Sequence, residues 1–210
     1  MLEDSHRVNA SSDMVVVVLA GGEGRRMGGA KPSRRFGGGT LIAHALELAR
    51  GYGDPVAVAV RDPAQLSGAD EAALLIDDPA LGGPIAGLAS ALAFARRCGA
   101  VVALTLPCDT PLLPTDLATR LRAALTPDVG AAVAASGGRA HPVCAVWRAA
   151  MADRLPAYLA AGRSSLIGFA EACDMVQVDW PVGDVDPFAN ANTPEDLRRL
   201  QAAAGRFGGD

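Results

Sequence analysis

Met14-Val15-Val16-Val17-Val18-Leu19-Ala20-Gly21-Gly22-Glu23-Gly24-Arg25-Arg26-Met27-Gly28 is an apolar run that breaks abruptly into a glycine-rich, basic loop. Val15 to Val18 are four β-branched residues in succession, the pattern of a strand covered on both faces of a parallel sheet. Gly21, Gly22 and Gly24 permit positive φ and a close approach of backbone to ligand, so successive N–H groups can face phosphate oxygens. Arg25, Arg26 and Lys31 add positive charge. The stretch predicts a strand opening into a phosphate-binding loop. A solvated surface loop is the competing reading of so short a glycine pattern.

Spacing excludes two familiar glycine motifs. No Gly-Lys-Ser/Thr follows, and Met27 stands where a dinucleotide-binding fingerprint needs its third glycine. The rest of the chain has the composition of one enzyme-sized α/β domain. Its 210 residues are half apolar, long enough for a sizeable core. The opening residues are polar and lack an apolar signal region, and no apolar run approaches the ~18 residues that span a bilayer. Net charge is −4, from 19 basic and 23 acidic residues. That balance gives no general attraction to nucleic acid. Cys98, Cys108, Cys144 and Cys173 stand singly, as do His6, His44 and His141, with no metal-ligand spacing. Reduced, buried cysteines and a cytoplasmic setting are expected.

Strand-like and helix-like segments alternate along the chain. Leu41 to Ala49 reads as a helix, Val56 to Val60 and Leu74 to Ile76 as strands, Ile85 to Arg97 as a helix, and Val101 to Leu106 as a buried strand ending at Pro107. A helix is predicted from about Thr115 to Leu125. This alternation implies a doubly wound, mainly parallel α/β sheet with helices on both faces, and ligands beyond the carboxyl ends of its strands.

Asp109 follows such a strand between Pro107 and Pro111. It reads either as a carboxylate aimed at a hard cation bridging to phosphates or as a turn former bonding its own backbone. The phosphate loop at the same sheet edge favours the metal. Gly82, Gly83 and Gly87 open the Ile85 helix, serving a tight turn or leaving room for a nucleoside. Thr193-Pro194-Glu195-Asp196 is a helix start. The alternate spacing of Asn190 and Asn192 in an extended segment would send both amides to one side. His141 before Pro142 reads as a strand-edge residue and is left out of the catalytic set.

In order along the chain stand the opening loop, Asp77-Asp78-Pro79, Gly82-Gly83-Pro84-Ile85-Ala86-Gly87, Cys108-Asp109-Thr110-Pro111, His141-Pro142-Val143 and Phe188-Ala189-Asn190-Ala191-Asn192-Thr193-Pro194-Glu195-Asp196-Leu197. Together they resemble the molybdenum cofactor guanylyltransferases, the MobA family of the nucleotidyltransferase superfamily, from about Met14 to Leu200. The resemblance implies a Rossmann-like nucleotidyltransferase domain at 14–204, with 1–13 and 205–210 as disordered or flexible ends. It implies transfer of GMP from GTP to the terminal phosphate of molybdopterin, with Mg²⁺ as cofactor and pyrophosphate as the leaving group.

Carried over residue by residue, Leu19, Ala20, Gly21 and Gly22 contact the nucleotide, and Lys31 and Arg26 its phosphates. Asp78 serves the nucleoside end, with Asp77 as a substitute. Asp109 meets both GTP and Mg²⁺, and Asn190 and Asn192 lie on the pterin side. The catalytic set is then Lys31, Asp109 and Arg26. The partners implied are the two small substrates and, transiently, a cofactor-delivery or acceptor protein, with no nucleic acid or membrane. A related cytidylyl- or sugar-phosphate transferase and a non-catalytic nucleotide or pterin carrier are the alternatives. The chain departs from the family in Ala30 before Lys31, in Pro32-Ser33-Arg34-Arg35 after it, and in Val60-Arg61 where an asparagine is common.

Overall fold

The computed structural model describes residues 13–21, 31–66 and 72–207. The expectations for residues 1–12, Gly22 and Arg26, and for the Lys31 side chain, lie outside the described residues.

The chain begins with β1 (Met14–Leu19), then a short ribbon, β2 (Arg35–Phe36) and β3 (Gly39–Thr40), and α1 (Leu41–Tyr52). Thr40 caps α1 by accepting the Ala43 N–H at 3.2 Å. β4 (Val56–Val60), β5 (Ala73–Ile76), α2 (Pro84–Arg97) and β6 (Val102–Pro107) fall where the apolar patterns put them, within a residue or two. α3 (Leu117–Ala123) is shorter than predicted. Its C-terminus tightens as Leu125 N–H bonds the Arg122 carbonyl at 3.2 Å, and Pro127 follows. Next come β7 (Ala131–Ser136), β8 (Arg139–Arg148), α4 (Leu155–Ala160), α5 (Leu166–Ala172), β9 (Val176–Trp180) and α6 (Pro194–Phe207).

Seven strands form one sheet in the order β5-β4-β1-β6-β8-β7-β9. Among the described strands β8 alone runs against the rest, which makes the sheet mainly parallel. β1 lies in its interior, between β4 and β6, and Val15 to Val18 are fully buried. Val16 and Val18 pack with Ile42 and Leu46 of α1 and Leu117 and Leu121 of α3 on one face. Val15 and Val17 pack with Ala91, Phe94 and Ala95 of α2 on the other. Both faces are thus covered, as a doubly wound sheet requires. A third cluster joins α2 to β7, β8 and α5 through Leu88, Trp147 and Phe169. Among the described residues no helix is long and apolar enough to cross a membrane.

β8 carries an irregularity that matters at the site. Ala134 pairs with His141 but Val133 with Ala145, so Pro142, Val143 and Cys144 are extra residues bulged out of the ladder. Pro142 could not donate to that ladder in any case.

Candidate active site

β1 ends at Leu19 and β6 at Pro107, and the two residues are register partners. From β1 the chain winds outward through β4 and β5, then returns across β1 to β6. The sheet order therefore reverses between β1 and β6, the place where open α/β sheets bind ligands. Directly beyond it lies a cavity of about 300 Å³, lined by Leu19, Gly21, Asp77, Gly83, Asp109 and Asn190 among others.

Gly21 continues β1 into this cavity. Ala20 before it is buried, and its N–H bonds the Ala59 carbonyl at 2.8 Å, which holds the backbone straight. A Cβ on Gly21 would lie 3.0 Å from Asp77 Oδ2, so the two residues form one tightly packed wall. Asp77 itself is only 5 % exposed. Its Oδ1 accepts the Ser90 hydroxyl of α2 at 2.8 Å, and its N–H bonds Val60 O. Burial raises its pKa above the usual aspartate value, opposed by the Ser90 hydrogen bond and the Arg61 charge. Asp78 is exposed and turned to local work: its Oδ1 accepts the Ala80 N–H at 2.8 Å, and it borders a separate groove with Ser90 and Arg97. Of the two, Asp77 lines the cavity.

The N-terminus of α2 closes another side. Gly83 adopts φ +70°, and Pro84 takes the first helical position, where its missing N–H costs nothing. A Cβ on Gly87 would stand 3.0 Å from Leu19 Cδ2, so this glycine lets α2 settle against the end of β1. The packing reading of Gly87 and its place in the cavity wall therefore both hold.

Asp109 is half-buried in the cavity wall. The Cys108 N–H bonds Leu19 O at 3.3 Å, stitching the β6 end to the β1 end. α1 holds the following loop, with His44 Nε2 on Pro111 O and the Tyr52 hydroxyl on Pro114 O, both at 2.8 Å. Behind Asp109, burial first and the Asp109 charge second push the Cys144 thiol far up. It therefore stays protonated, leaving the hard carboxylate oxygens as the anionic donors there. Among the described residues no group of three or more His, Cys, Asp or Glu is gathered as a metal site.

The C-terminal segment completes the wall. Ala191 N–H bonds the Asp109 carbonyl at 2.8 Å, and Asn190 Oδ1 accepts the Thr110 hydroxyl at 3.0 Å. Asn190 lines the cavity, whereas the Asn192 N–H bonds Asp196 Oδ2 at 3.2 Å, at the start of α6. The two asparagines stand in the irregular stretch between the turn at Pro187 and Phe188 and the start of α6. Asp196 and Thr193 cap α6 reciprocally, with Asp196 N–H on Thr193 Oγ1 and Thr193 N–H on Asp196 Oδ2, both at 3.0 Å. Pro32, the residue after Lys31, also lines the cavity. Ser90 belongs to the site without having been legible, and Val143, singled out in the sequence only as part of the His141-Pro142-Val143 motif, had no place in the site there. Ser90 is brought to Asp77 by the α2 crossover, and Val143 is presented by the β8 bulge. Pro142 inside a strand was the one available signal of that bulge. Cys108, Cys144 and Cys173 are buried and form no disulfide, as expected, whereas Cys98 is partly exposed at the end of α2.

A mainly parallel, doubly wound sheet with a glycine and two aspartates meeting at its switch point makes this an α/β protein with a ligand cavity at the usual place. The MobA-like NTP transferase domain matches residues 16–178, and the chain belongs to that family. A molybdenum cofactor guanylyltransferase of Cereibacter sphaeroides is 39 % identical over 188 residues, 89 % of this chain and 94 % of that protein. Another from Rhodopseudomonas palustris is 40 % identical over 196 residues, covering 90 % and 92 %. Among solved structures, molybdopterin-guanine dinucleotide biosynthesis protein A of Archaeoglobus fulgidus superposes with TM-score 0.72 at 25 % identity, over 92 % of this chain and all of that one. CMP:2-keto-3-deoxy-manno-octonic acid synthetase, solved with CTP, reaches the same TM-score at 15 % identity, over 93 % of this chain and all of its own, and shares the fold.

Proposed function

We propose that this protein transfers GMP from GTP to the terminal phosphate of molybdopterin, releasing pyrophosphate and forming the guanine dinucleotide cofactor. The observation that carries the reading is the convergence of Gly21, Asp77, Asp109 and Asn190 on one cavity at the sheet's switch point, in a member of this family. The names of its relatives, molybdenum cofactor guanylyltransferases, support a guanylyl transfer in molybdenum cofactor synthesis.

A phosphate oxygen of molybdopterin attacks the α-phosphorus of GTP. A new P–O–P bond forms, the α–β anhydride bond breaks, and its electron pair leaves on pyrophosphate. The attacking monoester is already ionised at neutral pH, so no general base is needed. The protein's task is to position two anions and offset their repulsion. Gly21 leaves room for the nucleotide beside its backbone. Asp77, pinned by Ser90, accepts N–H or O–H groups of the nucleoside end, the role the sequence reading divided between Asp77 and Asp78. Lys31 and Arg26 are the positive charges assigned to the triphosphate, and Pro32, next to Lys31 in the chain, lines the cavity. The family resemblance assigns nucleotide contacts to Leu19, Ala20 and Gly22 as well. Asn190 faces the acceptor, with Asn192 two residues further on assigned to the same side.

The donor set fits Mg²⁺: a half-buried carboxylate, Asp109, beside a thiol kept protonated. Magnesium suits one or two carboxylates completed by phosphate oxygens and waters. When bound, it supplies charge neutralisation on the phosphates. A reaction drawing on GTP belongs in the cytoplasm, and its anionic product suits hand-over to a delivery or acceptor protein.

Pyrophosphate release by the purified protein with molybdopterin, Mg²⁺ and GTP, CTP or ATP tests this reading, with product mass recorded. Turnover with GTP that falls ~10²-fold or more in Asp109→Ala is expected. Preference for CTP shifts the assignment to a cytidylyltransferase, and binding without turnover to a carrier.

A further inference from the structure

His141 belongs to no step of that reaction, yet the structure builds a small network around it. A second hollow of about 140 Å³ adjoins the nucleotide cavity, shares Pro107, Val143 and Asn190 with it, and has His141 and Phe188 in its wall. The imidazole stacks on the Phe188 ring with centroids 4.7 Å apart and planes 13° from parallel. Phe188 is itself buried and meets Trp180 edge-on at 5.4 Å.

The protons of the network can be assigned. Ser136 Oγ lies 2.8 Å from His141 Nε2 and 2.8 and 3.0 Å from the two oxygens of Asp186. A hydroxyl has one proton, and a carboxylate only accepts. Ser136 therefore donates to Asp186 and accepts from His141, so Nε2 carries the imidazole proton. Burial lowers the His141 pKa, with the Asp186 charge opposing and Arg139 reinforcing, which suits this neutral tautomer. Asp186 in turn accepts the Phe188 N–H at 2.9 Å, and its carbonyl the Ala189 N–H at 3.0 Å. One end of the 186–191 segment is thus fastened to β7 and β8, while the other is fastened to Asp109 by the Ala191 N–H.

We infer that His141 is a positioning residue: by stacking on Phe188 and holding Ser136 against Asp186, it fixes the 186–191 segment so that Asn190 faces the acceptor side of the cavity. The inference rests on the reading of Asn190 as an acceptor-substrate contact. Losing one aromatic stack corresponds to roughly two- to tenfold in an equilibrium constant, and a misplaced binding group costs more. Removing the ring should therefore raise the KM for molybdopterin about five- to tenfold while leaving GTP affinity within about twofold. A general loss of structure would instead weaken both.

The test is a set of steady-state measurements with molybdopterin, GTP and Mg²⁺, with GTP binding followed by calorimetry, on His141→Ala, His141→Phe, Asn190→Ala and the double variant His141→Ala/Asn190→Ala. The expected pattern is a raised molybdopterin KM in the two alanine variants, no further rise when they are combined, and partial recovery in His141→Phe, which keeps the stack but not the hydrogen bond to Ser136; no recovery at all would overturn the part given to the stack. Should His141→Ala not fold, His141→Gln, which keeps an N–H for Ser136 but no ring, takes its place. Multiplying effects in the double variant, or GTP affinity falling in step, would overturn the positioning role while leaving Asn190 as an acceptor contact. An unchanged KM in Asn190→Ala would overturn that contact and the inference with it.

Discussion

Asp77 and Asp78 are neighbours in the chain, and the fold uses them in opposite ways. Asp78 spends its carboxylate on the Ala80 N–H at the surface, whereas Asp77 is buried against Gly21 and Ser90. The sequence shows two adjacent acids after a strand and cannot say which faces inward, because that depends on where β5 stops against β4. Val60 and Ile76 are register partners, and Asp77 N–H then bonds Val60 O, which turns Asp77 toward the end of β1. Because burial holds the folded pKa of Asp77 above the ordinary 3.8, its protonated form favours the fold. That contribution is complete below 3.8 and is lost as pH rises through the folded value, so at neutral pH the fold carries the ion at a cost. Asp77→Asn, which still offers an oxygen to Ser90, should then raise Tm near neutral pH by about 2–4 °C, the effect of ~1 kcal/mol in a chain of this size. The gain should shrink toward pH 4, and GTP affinity should fall roughly tenfold to a hundredfold, as for loss of a hydrogen bond to a charged group. Calorimetric melts across pH, with GTP titrations, read both. A variant melting lower at neutral pH than the parent would contradict the argument.

The elements differ in how plainly their residues announce them. β1, β4, α2 and β6 carry unbroken apolar runs or helical spacing with glycine or proline at their ends, and these were readable. The β7–β8 hairpin was not. Its inner positions, Ala131, Ala132, Ala134, Ala135 and Ala145, are alanines, which favour helix and carry little strand signal. What makes them strands is tertiary: on one face Ala131 and Ala145 let Trp147, Phe169 and Tyr158 fill the layer, and on the other Ala132 and Ala134 pack in the cluster that holds Trp180 and Phe188. The same close packing explains Gly130, which precedes β7. A Cβ there would approach the Cys173 carbonyl oxygen to 2.5 Å and Met151 Sδ to 2.6 Å, while Gly130 N–H bonds that same carbonyl at 2.8 Å. The obstacle is backbone, which cannot step aside as a side-chain tip can. Gly130→Ala should cost about 1–3 kcal/mol and lower Tm by roughly 2–12 °C. Because Gly130 precedes β7 and the cavity lies beyond the far ends of the parallel strands, GTP affinity measured well below Tm should be unchanged. An unaltered melt would show that the β7–α5 contact yields freely.

Across the whole molecule the cavity wall is assembled from distant parts of the chain: Gly21 after β1, Asp77 after β5, Gly87 on α2, Asp109 after β6 and Asn190 before α6. The alternation of elements made the switch point readable, and with it the neighbourhood of Gly21 and Asp109. The partners of Ser90, Val143 and His141 were not readable, since each contact joins residues that only the crossover of α2 or the β8 bulge brings together. A ligand seated at that junction touches elements from both halves of the sheet, so it opposes separation of any one of them from the rest. Binding to the folded state alone stabilises by RT ln(1 + [L]/Kd), about 2.7 kcal/mol at a hundredfold excess over Kd. In a chain of this size each kcal/mol moves Tm by about 2–4 °C, so saturating GTP with Mg²⁺ should raise Tm by roughly 5–11 °C. If Asp109 holds the metal, the part of that rise requiring Mg²⁺ should vanish in Asp109→Ala, while the part produced by GTP alone persists through Gly21 and Asp77. Melts of both proteins with GTP, with Mg²⁺, and with both together separate the two contributions. A full Mg²⁺-dependent rise in Asp109→Ala would move the metal to another donor, and no rise with GTP in either protein would remove the nucleotide from this cavity.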